Sequence, residues 1–450
     1  MANQRSTQYD DLIQNVPASA RGLTHCAEWQ IQLLTDKATN SDTVLSRDEE
    51  DCLDDGFFMC DITVVERKLQ AWRRMFPRVQ PYYALKCNPD PVVASVLPAF
   101  DCASVAELQL ATASSAENSR AANTIVYANP QRAEQELEQA LRMFPKDPPP
   151  YTFDGPEELH KLHRALQEHT TTGTTAPPPL LLRLLVPDQD AQVPLGEKFG
   201  APLADIPSLV RTAAELQLPV VGVSFHCGSG NHDPIAYTTA VRMAKEALDL
   251  IRRQVDDNNS RWIVDMGGGY PGRDGAGGDS GRWGEAAAID QEHAPSETTA
   301  TIAQAVVPLL DELFPASDDT AIQLIAEPGR YFVEAAFCLC SRIYRVEEKE
   351  DDNERHLFIA QGVQGVFKDC VLCDETFVPI PLFATDKDDD DRVPSCVHGP
   401  SGEDFDTICR GYPLPKRLDV GDWLLFDRMG AYTLSIAAVN GRPPIRYVRS

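Results

Sequence analysis

From Pro81 to about Arg330 the chain repeats one pattern: a short apolar run, a polar loop, then apolar residues at helical spacing. The runs YYALK, FDCAS, TIVYAN, YTFD, LLLRLL, VVGVSFH, WIVDM and QLIAE predict strands. Between them AEQELEQALRMF, PEELHKLHRALQEH, TTAVRMAKEALDLIRRQV and TIAQAVVPLLDELF predict amphipathic helices. Eight strands alternating with helices over about 250 residues predict a parallel (β/α)8 barrel. A doubly wound open sheet is the competing arrangement.

After Arg330 the rhythm changes. FCLCSRIYRVEE, HLFIAQGVQ, CVLCDETFVPI, DWLLFD and IRYVRS read as strands joined by turns, which predicts a second, all-β domain. GFFMCDI precedes the barrel and is expected to pair into that β domain. The expected division is a polar segment 1–55, a strand within 56–64, a barrel over 65–330 and a β domain over 331–450. EHTTTGTTAPPP and TDKDDDDRVPS read as surface insertions.

Composition narrows the function. The 450 residues carry a formal charge of −27, which argues against a nucleic-acid-binding face and is compatible with a cationic substrate. MANQRSTQYDDLIQNVPASARG has no apolar signal core, and PLLLRLLVP is short and broken by Arg183. A soluble, cytoplasmic protein with no membrane partner is expected. The 12 cysteines are then expected to be reduced. Cys370 and Cys373 form a C-x-x-C that lacks a second pair, so buried thiols on a strand is the preferred reading, and no metal site is expected.

On a barrel, chemistry sits at the C-terminal strand ends. In order these ends carry Lys86, Asp101, Asn129, Asp154, Arg183, His226, the glycines after Asp265, then Glu327 and Arg330. Gly267, Gly269 and Gly272 in DMGGGYPG have dinucleotide-loop spacing, but Pro271 and the following glycine-rich run replace the helix that such a site needs. The consecutive glycines still offer N–H groups to a phosphate; a plain glycine turn is the alternative. A strand-end lysine is usually solvated, yet a partly desolvated one has a lowered pKa and can form a Schiff base. His226 and Ser229 lie in SFHCGSG; a lone strand-end histidine is more often structural than catalytic. Glu327 and Arg330 form either a surface ion pair or, on one cofactor, an acid for a ring nitrogen and an arginine for a phosphate.

PYYALKCNPDP, FDCASVAELQ, VGVSFHCGSG, DMGGGYPG, AEPGRY and MGAYT, in this order, resemble the ornithine decarboxylase family, whose members are pyridoxal phosphate (PLP) enzymes related in fold to alanine racemase. The resemblance runs from about Gly56 to Gly441. It implies a PLP-binding barrel of the alanine racemase type plus a C-terminal β domain. It assigns Lys86 as the residue that carries PLP, Glu327 to the pyridine nitrogen and His226 to the ring face. The phosphate falls to Ser229, Gly267, Gly268, Gly269, Arg330 and Tyr432, while Asp101, Glu107, Arg183 and Lys198 order the lysine and its surroundings. The implied reaction is decarboxylation of a basic L-amino acid, such as ornithine, lysine or a larger relative, to the amine in polyamine biosynthesis. The implied assembly is a homodimer with shared active sites.

The chain departs from the family in VHGPSGEDFDTIC. Gly402 stands where the family has a cysteine that protonates Cα, and Glu403 where it has a substrate-binding aspartate, while Asp406 keeps the last acid. Asp374 matches a position for the substrate's distal ammonium. Gln364, Cys373 and Val439 replace family aromatics, so the expected substrate pocket of Asp374, Glu403, Gly402, Gln364 and Val439 is altered in shape. Two alternatives follow: decarboxylation coupled to oxidative deamination, and a non-catalytic homologue resembling the antizyme inhibitors.

Overall fold

The computed structural model describes residues 12–17, 23–39, 46–114, 124–170, 175–196, 198–255, 261–272, 297–316, 321–348, 354–373, 375–383, 391–437 and 442–450. Much of both surface insertions, Asp374 and Val439 lie outside them. The chain forms two compact units, one drawn from residues between Lys68 and Phe332, the other from residues up to Arg67 and from Val333 onward.

The first unit is a barrel. Its parallel strands are Val79–Pro81 continued by Tyr83–Ala84, then Phe100–Cys102, Ile125–Tyr127, Tyr151–Phe153, Leu180–Arg183, Val220–Ser224, Arg261–Asp265 and Ala321–Ala326. The first strand closes the ring. Val79–Pro81 pairs with Ala321–Ala326, and Tyr83–Ala84 with Phe100–Cys102. At the break, Tyr82 N–H donates to Ala326 O at 2.8 Å and Tyr83 N–H to Ala99 O at 2.7 Å. Pro81 has no N–H to give, so the strand changes partner beside it. Closure rules out the open sheet.

The strands are short because their interior is filled rather than hollow. Tyr82, Ala99, Val126, Leu181, Ile263 and Ile325 meet as one buried apolar cluster, the packing that a barrel of this size requires. Outside the strands, helices Glu134–Met143, Pro156–Thr170, Pro234–Arg252 and Glu297–Leu313 fall where helical spacing predicts them. Trp72 is fully buried, with ring centroids of Phe76, Tyr270 and Tyr331 at 4.5, 4.9 and 5.4 Å. Its indole N–H donates to Val79 O at 3.0 Å, which ties this aromatic group to the first strand.

The second unit is a mixed sheet in the order Ile13–Asn15, Ile445–Arg449, Phe57–Asp61, Phe337–Glu348, Arg355–Ile359, Arg392–His398, Thr407–Pro415. GFFMCDI does join it, pairing with both Phe337–Glu348 and Ile445–Arg449. Trp423–Phe426 pairs with Phe337–Glu348 and Pro379–Pro381. The unit is not purely β. Helix Leu23–Thr39 lays Cys26, Ala27, Ile31 and Leu34 against Phe57, Met59, Cys338, Cys340 and Leu425.

CVLCDETFVPI is not one strand. Asp369–Leu372 is a single helical turn, and only Pro379–Pro381 is extended. Cys370 and Cys373 are half-buried there, and burial pushes the Cys370 thiol up to about 12, away from thiolate chemistry. All 12 cysteines are free thiols. Among the described residues, no helix is long and apolar enough to cross a membrane.

Trp72→Ala removes the centre of the aromatic group. The expected cost is about 3–5 kcal/mol, seen as a lower urea midpoint for the barrel; an unchanged midpoint would contradict the packing described.

Candidate functional site

The barrel's strand ends bring acids and a lysine together. Leu85–Cys87 leaves the first strand as a single 3-10 turn and carries Lys86 outward between buried Leu85 and Cys87. Across the pairing, Asp101 is completely buried, and its Oδ2 accepts from Lys86 Nζ at 2.8 Å. A buried carboxylate thus fixes where the amine sits.

The glycines occupy a seam where three strand ends meet. Gly267 N–H donates to Asp265 Oδ1 at 2.9 Å, and Gly267 O accepts from Glu327 N–H at 2.7 Å. Gly267 has φ +60°, and a Cβ there would overlap Phe225 O. A Cβ on Gly268 would lie 2.8 Å from both His226 Nε2 and Glu327 O, and one on Gly269 would overlap Gly228 O. A side chain at Gly268 would therefore fill the space beside His226 and Glu327, and one at Gly267 or Gly269 would collide with neighbouring backbone. A short antiparallel ribbon of Ala191–Val193 and Ser229–Asn231 adjoins it, held by Asn231 N–H to Gly269 O at 3.0 Å.

The charges in this seam are unbalanced. Burial, then the charges of Asp101 and Asp265, pushes the Glu327 carboxyl far above the usual range, although Lys86 opposes this. Burial likewise raises Asp265, against its bonds to Glu327 and Gly267 N–H. Asp101 Oδ1, Asp265 Oδ2 and Glu327 Oε1 are buried and find no donor among the described residues. Two carboxyls facing each other must share a proton or receive a cationic donor. His226 is held neutral, its pKa lowered by burial and by the charges of Arg183 and Lys86. Its Nδ1 accepts from Gly228 N–H at 3.0 Å, so the ring proton sits on Nε2.

These features fit a planar cation with a ring N–H and a phosphate. Glu327 offers a buried acceptor, the glycines offer close backbone approach, and Lys86 offers an amine. The donor set fits PLP.

The other expected residues are distributed as follows. Arg183 is half-buried with its guanidinium 4.8 Å from the Phe199 ring centroid. Ser229 opens the ribbon, and Arg330 begins the turn Arg330–Val333. Asn129 and Asp154 tie loops, to Ala103 O at 3.3 Å and from Gly200 N–H at 3.0 Å. Glu107 accepts from Ala103 N–H at 2.8 Å and Ser104 Oγ at 3.1 Å at the start of its own helix, and the Lys198 side chain is exposed. Asp265 is not among the residues singled out from the sequence, although an acid at a strand end, two residues before a glycine triplet, is the available signal.

In the sheet unit, Tyr432 has φ +57°, a costly backbone for an aromatic residue and therefore a marker of a constrained position. The loop after His398 is built around Asp406. That buried carboxylate accepts from Val363 N–H at 2.7 Å, Ser401 N–H at 3.1 Å and Ser401 Oγ at 2.7 Å. Gly402, at φ +69°, Glu403 and Gln364 are exposed.

The comparisons agree with this architecture. Residues 62–334 match the family described as "Pyridoxal-dependent decarboxylase, pyridoxal binding domain". The chain is 33% identical to ornithine decarboxylase of Caenorhabditis elegans over 94% of this chain and 92% of that one. It is also 33% identical to antizyme inhibitor 2 of Xenopus laevis, over 87% and 81% respectively. Among solved structures, the arginine decarboxylase of Paramecium bursaria Chlorella virus bound to agmatine superposes with a TM-score of 0.72 at 28% identity, covering 87% of this chain and 95% of that one. Barrel, cofactor-shaped seam and sequence agree: the chain belongs to the ornithine decarboxylase family of pyridoxal-dependent decarboxylases, and its cofactor is pyridoxal phosphate.

Proposed function

We propose that this protein releases CO2 from a basic L-amino acid and returns the corresponding amine, through the site around Lys86. The observation that carries this reading is the Lys86 amine at 2.8 Å from fully buried Asp101, beside a Glu327 carboxyl whose buried Oε1 finds no donor among the described residues. Bound PLP supplies an electron-withdrawing ring that takes up the electron pair left at Cα when the carboxylate departs. Lys86 would hold the cofactor through its amine, and Asp101 holds its Nζ in position. Glu327, with the proton it shares with Asp265, keeps the ring nitrogen protonated. The neutral His226 ring covers one face. Gly267, Gly268, Gly269, Ser229 and Arg330 would hold the phosphate.

Substrate choice falls to the loop bearing Gly402 and Glu403, and to Asp374. Glu403 reaches roughly 1.5 Å further than an aspartate, which favours a basic amino acid with a different span from that of ornithine. A homodimer in the cytoplasm completes the reading. Its support is apolar exposure around this loop: Val371, Leu372 and Phe405 are 66%, 67% and 54% exposed, and Cys370 Sγ lies 4.0 Å from Ile408 O between their segments.

A second outcome rests on Gly402. With no thiol there, an aldehyde product would mean that Cα escapes protonation. The antizyme-inhibitor reading needs a chain that does not hold PLP, and the Lys86–Asp101 pair argues against it.

Four outcomes are expected. The purified protein is yellow, borohydride fixes the chromophore to Lys86, and Lys86→Ala abolishes both fixation and CO2 release; an active Lys86→Ala enzyme would refute the assignment. Incubation with a panel of basic L-amino acids yields CO2 and amine from at least one, and none would sink the decarboxylase reading. Glu403→Ala raises KM for a diamino acid by tenfold or more, about 1.4 kcal/mol, with PLP absorbance unchanged; loss of PLP instead would misplace the loop.

The fourth concerns pH. In cofactor-free protein the raised Glu327 and Asp265 carboxyls stay protonated after the unfolded chain has ionised. Their contribution to folded-state stability therefore falls as pH rises from the usual carboxylate value of ~4 through the raised values. His226 acts oppositely, losing stability as pH falls through its ordinary value. The readout is the difference between proteins: Glu327→Gln flattens the decline in melting temperature between about pH 5 and pH 8. An identical decline in both would remove Glu327 from the proton-sharing pair.

A further inference from the structure

A cluster in the sheet unit has no part in the site above. Strands Arg355–Ile359 and Arg392–His398 run parallel, with His356 opposite Cys396 and Phe358 opposite His398. Residues two apart on a strand share a face, so His356, Cys396 and His398 converge. One ligand atom of each lies within 4.8 Å of the others, and all three are buried. His356 Nδ1 is 2.9 Å from His398 Nε2. Cys396 Sγ is 3.2 Å from Oε2 of Glu354, two residues before His356 on the same strand side.

We propose that His356, Cys396 and His398 bind a divalent transition metal, with Zn2+ the best match and Glu354 as fourth ligand. Two imidazoles, a thiolate and a carboxylate are a borderline-soft set that suits Zn2+ and excludes Mg2+ and Ca2+. Metal–ligand bonds of ~2.0–2.3 Å place tetrahedral donors ~3.3–3.7 Å apart. The observed 2.9 Å histidine separation needs only to open by a few tenths of an ångström, while the Glu354 carboxylate, 3.2 Å from Cys396, turns toward the two imidazoles.

The surroundings already orient the ligands. The Thr407 hydroxyl donates to Asp404 O at 2.9 Å, so in the 3.1 Å contact between His398 and Thr407 the ring Nδ1–H is the donor. That leaves a lone pair on His398 Nε2, directed at His356. The Phe358 ring stacks on His398 at 5.0 Å. On binding, the Cys396 thiol proton leaves to solvent and the His356 Nδ1 proton moves to its Nε2, so one proton is released per ion. Binding therefore weakens as pH falls. His398 directly precedes the loop carrying Gly402 and Glu403, and Thr407 closes it. The ion would pin both ends of that loop, whichever substrate the enzyme takes.

The test uses the full-length holoenzyme, stripped with chelator and dialysed against Co2+ or Zn2+. One equivalent per chain is expected to survive gel filtration, with visible bands of tetrahedral Co2+ and a proton released on binding. Cys396→Ser and His398→Gln should each weaken binding at least tenfold while PLP absorbance persists. In wild-type protein the Co2+–thiolate band reads the site without any variant. No retained metal, cobalt bands lacking thiolate character, or equal retention in PLP-binding variants would overturn the proposal and leave a hydrogen-bonded histidine pair.

Discussion

Too many buried acceptors and too few donors: this is the constraint around which the barrel mouth is organised. Asp101, Asp265 and Glu327 end three different strands, and each leaves a buried oxygen without a donor among the described residues. Lys86 satisfies one oxygen of Asp101. What remains is a buried, acid-lined seam that a protonated ring nitrogen would relieve, because unpaired buried acceptors cost free energy. The glycine triplet follows from the same need. Only residues without a Cβ let the sixth, seventh and eighth strand ends approach closely enough to leave this seam between them.

The barrel was legible because alternating strand and helix periods repeat eight times, so small boundary errors do not accumulate. Other parts were hidden for identifiable reasons. Helix Leu23–Thr39 mixes polar residues into its buried stripe, but Cys26, Ala27, Ile31 and Leu34 keep helical spacing. The next helix had a plainer signal in the capping box of Ser46 and Glu49. The apolar alternation of CVLC imitates a strand, although Asp369 starts a helical turn. Pro394, Pro413 and Pro415 interrupt Arg392–His398 and Thr407–Pro415 and mask their strand pattern; prolines are tolerated at an edge, where Thr407–Pro415 lies.

The segment GPSGEDFD separates into roles that residue types alone did not assign. Asp406, the acid shared with the family pattern, faces inward and gathers three donors, so it shapes the loop and is not free to meet a ligand. Glu403 caps the turn Asp404–Asp406 with its side chain exposed. Gly402 has a left-handed backbone, with Arg345 Nη2 only 3.2 Å from where a Cβ would stand. A side chain could not be added there without moving the loop or straining its backbone.

The last strand of the chain, Ile445–Arg449, lies between the two earliest, Ile13–Asn15 and Phe57–Asp61, and Ser450 bonds back to Thr63 at 2.9 Å. During synthesis the barrel's strands are all available once Ala326 has emerged. Ile13–Asn15, by contrast, waits for Ile445–Arg449, while Phe57–Asp61 already has Phe337–Glu348 as a partner. Ile13–Asn15 therefore stays without its strand partner, and open to the quality-control machinery of the cell, until Ile445–Arg449 is made.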